Sequence, residues 1–419
     1  MERKVKLISK TRFLGALLAT SLALHGCGGG DDADWLFPLW VTTDVLVADI
    51  DGNGHADILT LAQYATGMEQ REGRLVVRLQ TAPGVYAPAQ TYLVGIYPWK
   101  MALGDIDGDD AADLVITDFG FTASVSATDQ SVWMLLQDPG KPGTFLPPQR
   151  LPLDPHAPYD VAIGDLSGDG VPDIVLADSL DGQSGATLLI QDAANRGTFL
   201  APSAIPLPGR TGHVALGDID GNGRDDLAFR VLISTTNYVP TTELGIVYQL
   251  TGGVLEPAMM LSRQTGLNTH MLELTDYNVD GATDVVELFT GSDSNYRNKV
   301  TTLLQDPVGT FTPVDTALDA GQGVEDGVMA DLDGDARPDF ATFRAGENST
   351  LDIFIQDGSG GFALSVEIPL PDMCTRLAAG DLDGDRLTDL VILCSENKVV
   401  LVLQSAAAPG TFLAPRIVD

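Results

Sequence analysis

The sequence predicts an all-β chain that closes into a seven-bladed β-propeller of four-stranded antiparallel blades. First, an acidic nine-residue loop of the form Asp-x-Asp-Gly-Asp-x-x-x-Asp returns seven times, starting at Asp49, Asp105, Asp165, Asp218, Asp276, Asp331 and Asp381. A period near 55 residues suits a four-stranded blade and exceeds the ~20–50 residues of solenoid units. Second, a Gln closing an apolar run keeps step at Gln80, Gln137, Gln191, Gln249, Gln305, Gln356 and Gln404. Third, the runs between these markers are short and rich in Val, Ile and Leu, and no segment of ten or more residues carries a helical period. Such runs, bounded by turn residues, are strands.

The elements follow in chain order. Arg3, Lys4, Lys6, Lys10 and Arg12 precede an apolar stretch from Phe13 to Leu24, which is too short to span a membrane and reads as an export signal over residues 1–26. The following Leu24-His25-Gly26-Cys27 resembles a bacterial lipobox, with His25 in place of the usual small residue, and implies a lipid on Cys27. An ordinary cleaved signal with an incidental Cys is the alternative. Residues 27–34 are Gly and Asp with little to bury and form a tether, and residues 35–419 are the propeller.

Within each repeat an apolar run ends at the first Asp of the loop, as in Met101 to Gly104, and forms strand A. A second run opens at its last Asp, as in Asp113 to Ile116, and forms strand B. The run ending at the Gln is strand C. The segment after a Gly-Thr-Phe turn, as in Phe199 to Pro202, is strand D, whose prolines fit a sheet edge. The order opens on strand A and closes on strand D at Phe412 to Val418, so closure by a swapped outer strand is not visible in it. Trp35 to Val41 is placed as a short addition against the last blade.

Formal charge is −34, and −38 once residues 1–26, with five bases and one acid, are removed. This excludes nucleic acid and anionic lipid surfaces as partners. The charge is concentrated. Loop position 1 is Asp49, Asp105, Asp165, Asp218, Asp276, Asp331 or Asp381; position 3 is Asp51, Asp107, Ser167, Asp220, Asn278, Asp333 or Asp383. Position 5 is Asn53, Asp109, Asp169, Asn222, Asp280, Asp335 or Asp385, and position 9 is Asp57, Asp113, Asp173, Asp226, Asp284, Asp339 or Asp389.

Alternate oxygens turned inward make an oxygen-only cage suited to calcium, up to seven ions in all. Zinc would want Cys or His, and magnesium a stricter octahedron. An EF-hand needs an acid at position 12, where only Glu287 complies. Gly at position 4, absent only where Val279 stands, permits the positive φ that bends the loop. Ser167 and Val279 mark the two weaker sites.

These loops and their placement resemble the FG-GAP or VCBS repeats of the integrin alpha-subunit propeller and its bacterial relatives, over residues 41 to 419. The resemblance implies that each loop joins strands A and B and holds calcium.

No nucleophile elbow, zinc spacing or phosphate loop is present, and every carboxylate cluster belongs to a metal loop, so no enzyme is expected. Binding is expected on the face opposite the loops. There Tyr64, Tyr97, Trp99, Tyr159, Tyr238, Tyr296 and Arg297, with Phe119, Phe121, His156, His213 and His270, lie in B–C loops and blade crossovers, with the longer loops in blades 1, 2, 4 and 5. The alternative for each is packing between blades. Cys374 and Cys394 fall almost opposite each other on strands A and B of blade 7, one residue out of register, and are expected to pair. Two free thiols are the alternative.

The sequence therefore reads as an exported, lipid-anchored, calcium-stabilised binding or adhesion module of the outer membrane or cell surface, with a protein or glycan partner and no membrane contact except the anchor. A polysaccharide-active or phospholipase-associated propeller, as in relatives of this repeat, and a ligand-free scaffold are the other readings. A Lys, Arg, His or Tyr constellation converging opposite the calcium would favour the enzyme.

Overall fold

The apolar run ahead of each acidic loop forms the first strand of a four-stranded antiparallel sheet, and seven such sheets are present. The computed structural model describes residues 39–418 except 67–69, 120–129, 152, 154–157, 179–183, 237–238, 292–297, 307–308, 319–323, 345–348, 358–360, 372–373 and 396–397. Residues 1–26, Cys27, the tether and Trp35 to Pro38 lie outside the described residues.

Blade 1 is Leu39–Ala48, Asp57–Thr66, Gln70–Arg78 and Gln90–Leu93. Blade 2 is Pro98–Gly104, Asp113–Asp118, Ser131–Leu135 and Gln149–Arg150. Blade 3 is Pro158–Gly164, Asp173–Asp178, Ala186–Leu189 and Ser203–Ile205, and blade 4 is Arg210–Gly217, Asp226–Thr236, Val239–Val247 and Met259–Thr265. Blade 5 is Leu267–Thr275, Asp284–Gly291, Lys299–Gln305 and Phe311–Ala317. Blade 6 is Val324–Ala330, Asp339–Arg344, Thr350–Gln356 and Phe362–Pro369, and blade 7 is Cys374–Gly380, Asp389–Cys394, Lys398–Val402 and Arg416–Val418. Among the described residues there is no α-helix.

Strand A of each blade lies against strand A of the next, and that of blade 7 against that of blade 1, which closes the ring around an axis. Strand B is buried on both faces, as Asp113–Asp118 and Asp389–Cys394 are throughout, and this is why it reads as a continuous apolar run. The core is divided into layers between adjacent blades. Leu59, Leu61 and Leu75 of blade 1 meet Leu114, Ile116 and Leu135 of blade 2, and the pattern repeats around the ring.

The last layer joins Val45 and Ile58 of blade 1 to Leu382, Val391 and Val399 of blade 7. Among the described residues no swapped strand crosses this seam. It is held by that apolar layer, by Gln80 Nε2 donating to the Leu382 carbonyl at 2.9 Å, and by Arg376 Nε donating to the Thr43 carbonyl at 2.5 Å.

Three expectations shift. Strand D begins later than Phe199 or Phe412, whose backbones only bridge to Gln191 and Gln404; the paired strands are Ser203–Ile205 and Arg416–Val418. In blades 1 and 4 the extra residues expected in B–C loops lengthen the hairpin strands instead, so Tyr64 sits in strand B opposite Trp40 and Glu72.

The third concerns register. A β-bulge interrupts strand A of every blade at the same place, between Thr42/Asp44, Pro98/Met101, Pro158/Asp160, Thr211/His213, Thr269/Met271, Val324/Gly327 and Cys374/Arg376. A bulge sets two residues against one on the partner strand. In blade 7 it absorbs the residue of slip, so that Cys374 stands opposite Cys394, and the two are joined by a disulfide. Replacing both by Ala is expected to lower stability by ~3 kcal/mol, since the bridge closes a loop of about 20 residues. Denaturant titration measures this, and alkylation of two thiols in the non-reduced exported protein would exclude the bond.

Candidate metal centres and the channel mouth

Each acidic loop is folded by its own carboxylates. The position 1 Asp accepts amide hydrogens from the far side of the turn: Asp105 takes those of Gly108, Asp109 and Asp110 at 2.7, 3.0 and 3.2 Å. In every loop but that of blade 4, the position 5 side chain accepts the amide of position 7, as Asp109 does from Ala111 at 3.0 Å.

The position 9 Asp is buried and engaged at both oxygens. Asp57 accepts the Ile50 amide at 3.0 Å and the Gln80 amide at 2.7 Å, and in all seven blades the marker Gln donates its amide here at 2.6–2.9 Å. The Gln thus has a role that its regular spacing announced but did not explain. Its backbone ties strand C to the loop, and in blades 1, 4, 5 and 6 its side chain reaches back to the preceding blade, as Gln305 does to the Ile219 carbonyl at 2.7 Å and Gln356 to that of Tyr277 at 3.0 Å.

In five loops three carboxylates each place an oxygen within 4.8 Å of the others: Asp49, Asp51 and Asp57; Asp105, Asp107 and Asp113; Asp218, Asp220 and Asp226; Asp331, Asp333 and Asp339; Asp381, Asp383 and Asp385. Among the described residues no such trio of acids forms in the loops of blades 3 and 5, where position 3 is Ser167 and Asn278. Burial pushes Asp57, Asp113, Asp284 and Asp339 up to about 6 and Asp389 to about 7, with neighbouring loop carboxylates adding to the rise against the amides that lower it.

A cation is the group this arrangement fits. Asp107 Oδ1, Asn222 Oδ1 and Asp385 Oδ2 are buried acceptors with no hydrogen-bond partner, each in a ligand position of a different loop. An unpaired buried acceptor costs ~1–3 kcal/mol, more when charged, which a bound ion would offset. The residues that would hold it are those at positions 1, 3, 5 and 9.

The backbone follows the glycine pattern and extends it. Position 4 has positive φ in every loop, including Val279 at 59°. So does position 6, which sequence reasoning missed because only four copies use Gly there; Asp110, Ala336 and Arg386 hold φ of 67°, 67° and 72°. A β-branched residue in the left-handed region is strained. Val279→Gly is therefore expected to stabilise the protein by ~1 kcal/mol, read as a higher denaturation midpoint; an unchanged or lower midpoint contradicts this.

The opposite end of the channel is built by the bulges. Five residues before each loop stand Asp44, Lys100, Asp160, His213, Met271, Asp326 and Arg376. Lys100 Nζ lies 3.1 Å from Asp44, and His213 Nδ1 lies 3.4 Å from Asp160. The carboxylates also bind the next blade's backbone: Asp44 accepts from Met101 at 2.9 Å, Asp160 from Val214 at 3.3 Å and Asp326 from Leu377 at 3.0 Å. Burial opposes charge on Lys100, yet Asp44, Asp326 and Asp160 push its pKa up to about 12. A side chain that senses charges on blades 1, 3, 6 and 7 lies at the axis.

Aromatic rings adjoin this cluster. Tyr97 stacks on Trp99 at 5.8 Å, Trp99 meets Tyr159 at 5.4 Å, and Tyr159 meets Phe119 and His213 at 6.3 and 5.8 Å. Arg376 lies over Trp99 at 5.5 Å. Of the expected ligand-face residues, Tyr97, Trp99 and Tyr159 are therefore brought together. The side chain of Tyr64, and Phe121, His156, Tyr238, Tyr296 and Arg297, lie outside the described residues. Sequence reasoning missed the ionisable ring, although its recurrence at a fixed distance from each loop was there to be aligned.

No curated protein matches this chain. Among solved structures, the periplasmic gluconolactonase PpgL of Pseudomonas aeruginosa is similar at 13% identity and TM-score 0.56, over 91% of this chain and 99% of that one. A functionally unknown protein from Desulfotomaculum acetoxidans DSM 771 is similar at 14% identity and TM-score 0.49, over 82% and 95%. A family model, the FG-GAP-like repeat, matches residues 165–229 and 331–392, each of which runs from one acidic loop through the next, with the strands between them. With the same loop, bulge and Gln in all seven blades, the chain is a seven-bladed β-propeller that carries FG-GAP-like repeats.

Proposed function

We propose that this protein is a calcium-stabilised propeller acting as a non-catalytic binding module outside the cytoplasm, held at the outer membrane or cell surface by lipid on Cys27. The observation that carries the metal is the donor set: oxygen-only loops, three carboxylates each in five of them, with buried acceptors left unpartnered. Calcium suits such loops because it takes six to eight oxygens in flexible geometry. Five trios on one face also account for much of the negative charge, which deters nucleic acid.

The convergence of Lys100, His213, Tyr159 and Arg376 opposite the loops favours one second reading, a polysaccharide-active enzyme. Binding remains the better account, because Asp44 holds Lys100 protonated and a protonated lysine accepts no proton. The gluconolactonase shares the fold alone at 13% identity.

The test is a glycan and surface-protein array probed with the full chain, with and without calcium. Calcium-dependent binding without turnover is expected. Degradation of a bound polysaccharide, lost in Lys100→Met, selects the enzyme, and no binding at all leaves a scaffold.

A further inference from the structure

What the repeat needs, it repeats. The bulge, the Gln and the position 9 Asp occur in all seven blades, as a closed ring of equivalent sheets requires. The side chains at the channel mouth do not share that symmetry. Six residues ahead of each loop, at the bulge, stand Trp99 and Tyr159 in blades 2 and 3, but Thr43, Gly212, His270, Glu325 and Thr375 in blades 1, 4, 5, 6 and 7. The fold can be built without the two aromatics, so their presence in one sector calls for a local explanation.

Charge narrows the ligand. Around Trp99 and Tyr159 the cations are engaged: Lys100 with Asp44, and Arg376 with the Thr43 carbonyl. Asp160 lies beside His213, and Asp326 is near both Lys100 and Arg376. The acids equal or outnumber the bases, so a carboxylated or sulfated ligand gains no net attraction. A compact cation would displace Lys100 from Asp44 and leave an ammonium unpaired. The cluster does offer donors and acceptors in alternation, at almost no net charge, next to half-buried rings. That is the requirement of a sugar without charged groups, whose hydroxyls both donate and accept and whose C–H faces pack on aromatic surface.

We propose that the channel mouth between blades 2 and 3 binds an uncharged saccharide unit, with Tyr97, Trp99 and Tyr159 as its apolar wall and Asp44, Lys100, Asp160 and Arg376 as its polar partners. This rests on the binding-module reading and names its site. The wall and the ion pairs come from adjacent blades, so the site is complete only in the closed ring.

The experiment uses the full chain in millimolar calcium. Binding of cellotetraose, xylotetraose, mannotetraose and tetragalacturonate is measured by titration calorimetry, and the glycan and surface-protein array is repeated with each variant. At least one neutral tetrasaccharide is expected to bind, and Trp99→Ala and Tyr97→Ala should each weaken it at least 10-fold while calcium-loaded unfolding midpoints stay within a few degrees. Binding of the uronate alone overturns the proposal, as does failure of every neutral glycan, or neutral binding that both variants retain. Array hits insensitive to both variants would overturn this site and leave the binding module standing. An empty array removes both.

Discussion

Chelation of calcium is expected to lower the unfolding midpoint by more than any single substitution in this chain. An ion that binds only the folded state, at a hundredfold excess over its dissociation constant, stabilises by about 2.7 kcal/mol per site. Five loops with a carboxylate trio would contribute about 14 kcal/mol at that excess, which rivals the whole stability of an ordinary domain at ~5–15 kcal/mol. Without the ion the trios repel and their buried acceptors stay unpaired. Thermal unfolding in excess chelator should therefore begin at least ~10 °C below that in millimolar calcium; coincident midpoints would remove calcium from the account. Asp109→Ala should weaken one loop's hold on its ion, and the loop with Ser167 should be among the first to lose its ion on titration with chelator.

The second large effect lies between blades 4 and 5. Arg230 is 2% exposed and Glu287 0%; their nearest atoms stand 2.9 Å apart, and the guanidinium also packs on Phe289 at 4.8 Å. The two residues belong to strand B of adjacent blades, a layer that elsewhere is apolar. Burial lowers the Arg230 pKa and raises that of Glu287, and each opposes the other's shift, so neither tolerates the loss of its partner. Glu287→Ala or Arg230→Ala is expected to cost ~3–5 kcal/mol, whereas Arg230→Met with Glu287→Leu should recover most of that loss, because paired apolar groups avoid the desolvation of two charges. Denaturant titration of the four proteins in calcium measures it. Single variants within 1 kcal/mol of wild type, or a double variant no better than the singles, would contradict the argument.

Most of the fold was legible because a propeller is written in period. Strand B is buried on both faces, so its Val, Ile and Leu run without interruption, and the loop that precedes it is marked by Asp at fixed spacing. What was not legible depends on events between blades. The extra residues after Asp57 and Asp226 lengthen the loop or the hairpin equally well on paper, and only pairing with Gln70–Arg78 and Val239–Val247 decides for the hairpin. The bulge in strand A has no residue signature, since the residues it leaves out of register include Thr43, Tyr159, Gly212, His270 and Thr375. Its effect on register is what separates an off-by-one estimate from the pairing of Cys374 with Cys394. At the candidate sites, the carboxylates could be read from the sequence because each loop is local. The meeting of Lys100 with Asp44, or Trp99 with Tyr159, brings residues together across blade boundaries and became visible only with the ring closed.

The course of the chain through the ring also governs how this protein can be attached to anything else. Strand A of blade 1 is innermost and enters at Leu39 from the end of the channel where the aromatic wall lies, while Arg416–Val418 runs toward that same end on the outermost strand of blade 7. Both ends of the described chain thus emerge on one side, the first near the axis and the second about three strand spacings, ~14 Å, farther out. A fusion partner, bead or chip coupled through the amino end would crowd the opening. The same coupling through the carboxyl end would leave it clear, so orientation alone could make one preparation of this protein look inert and another active.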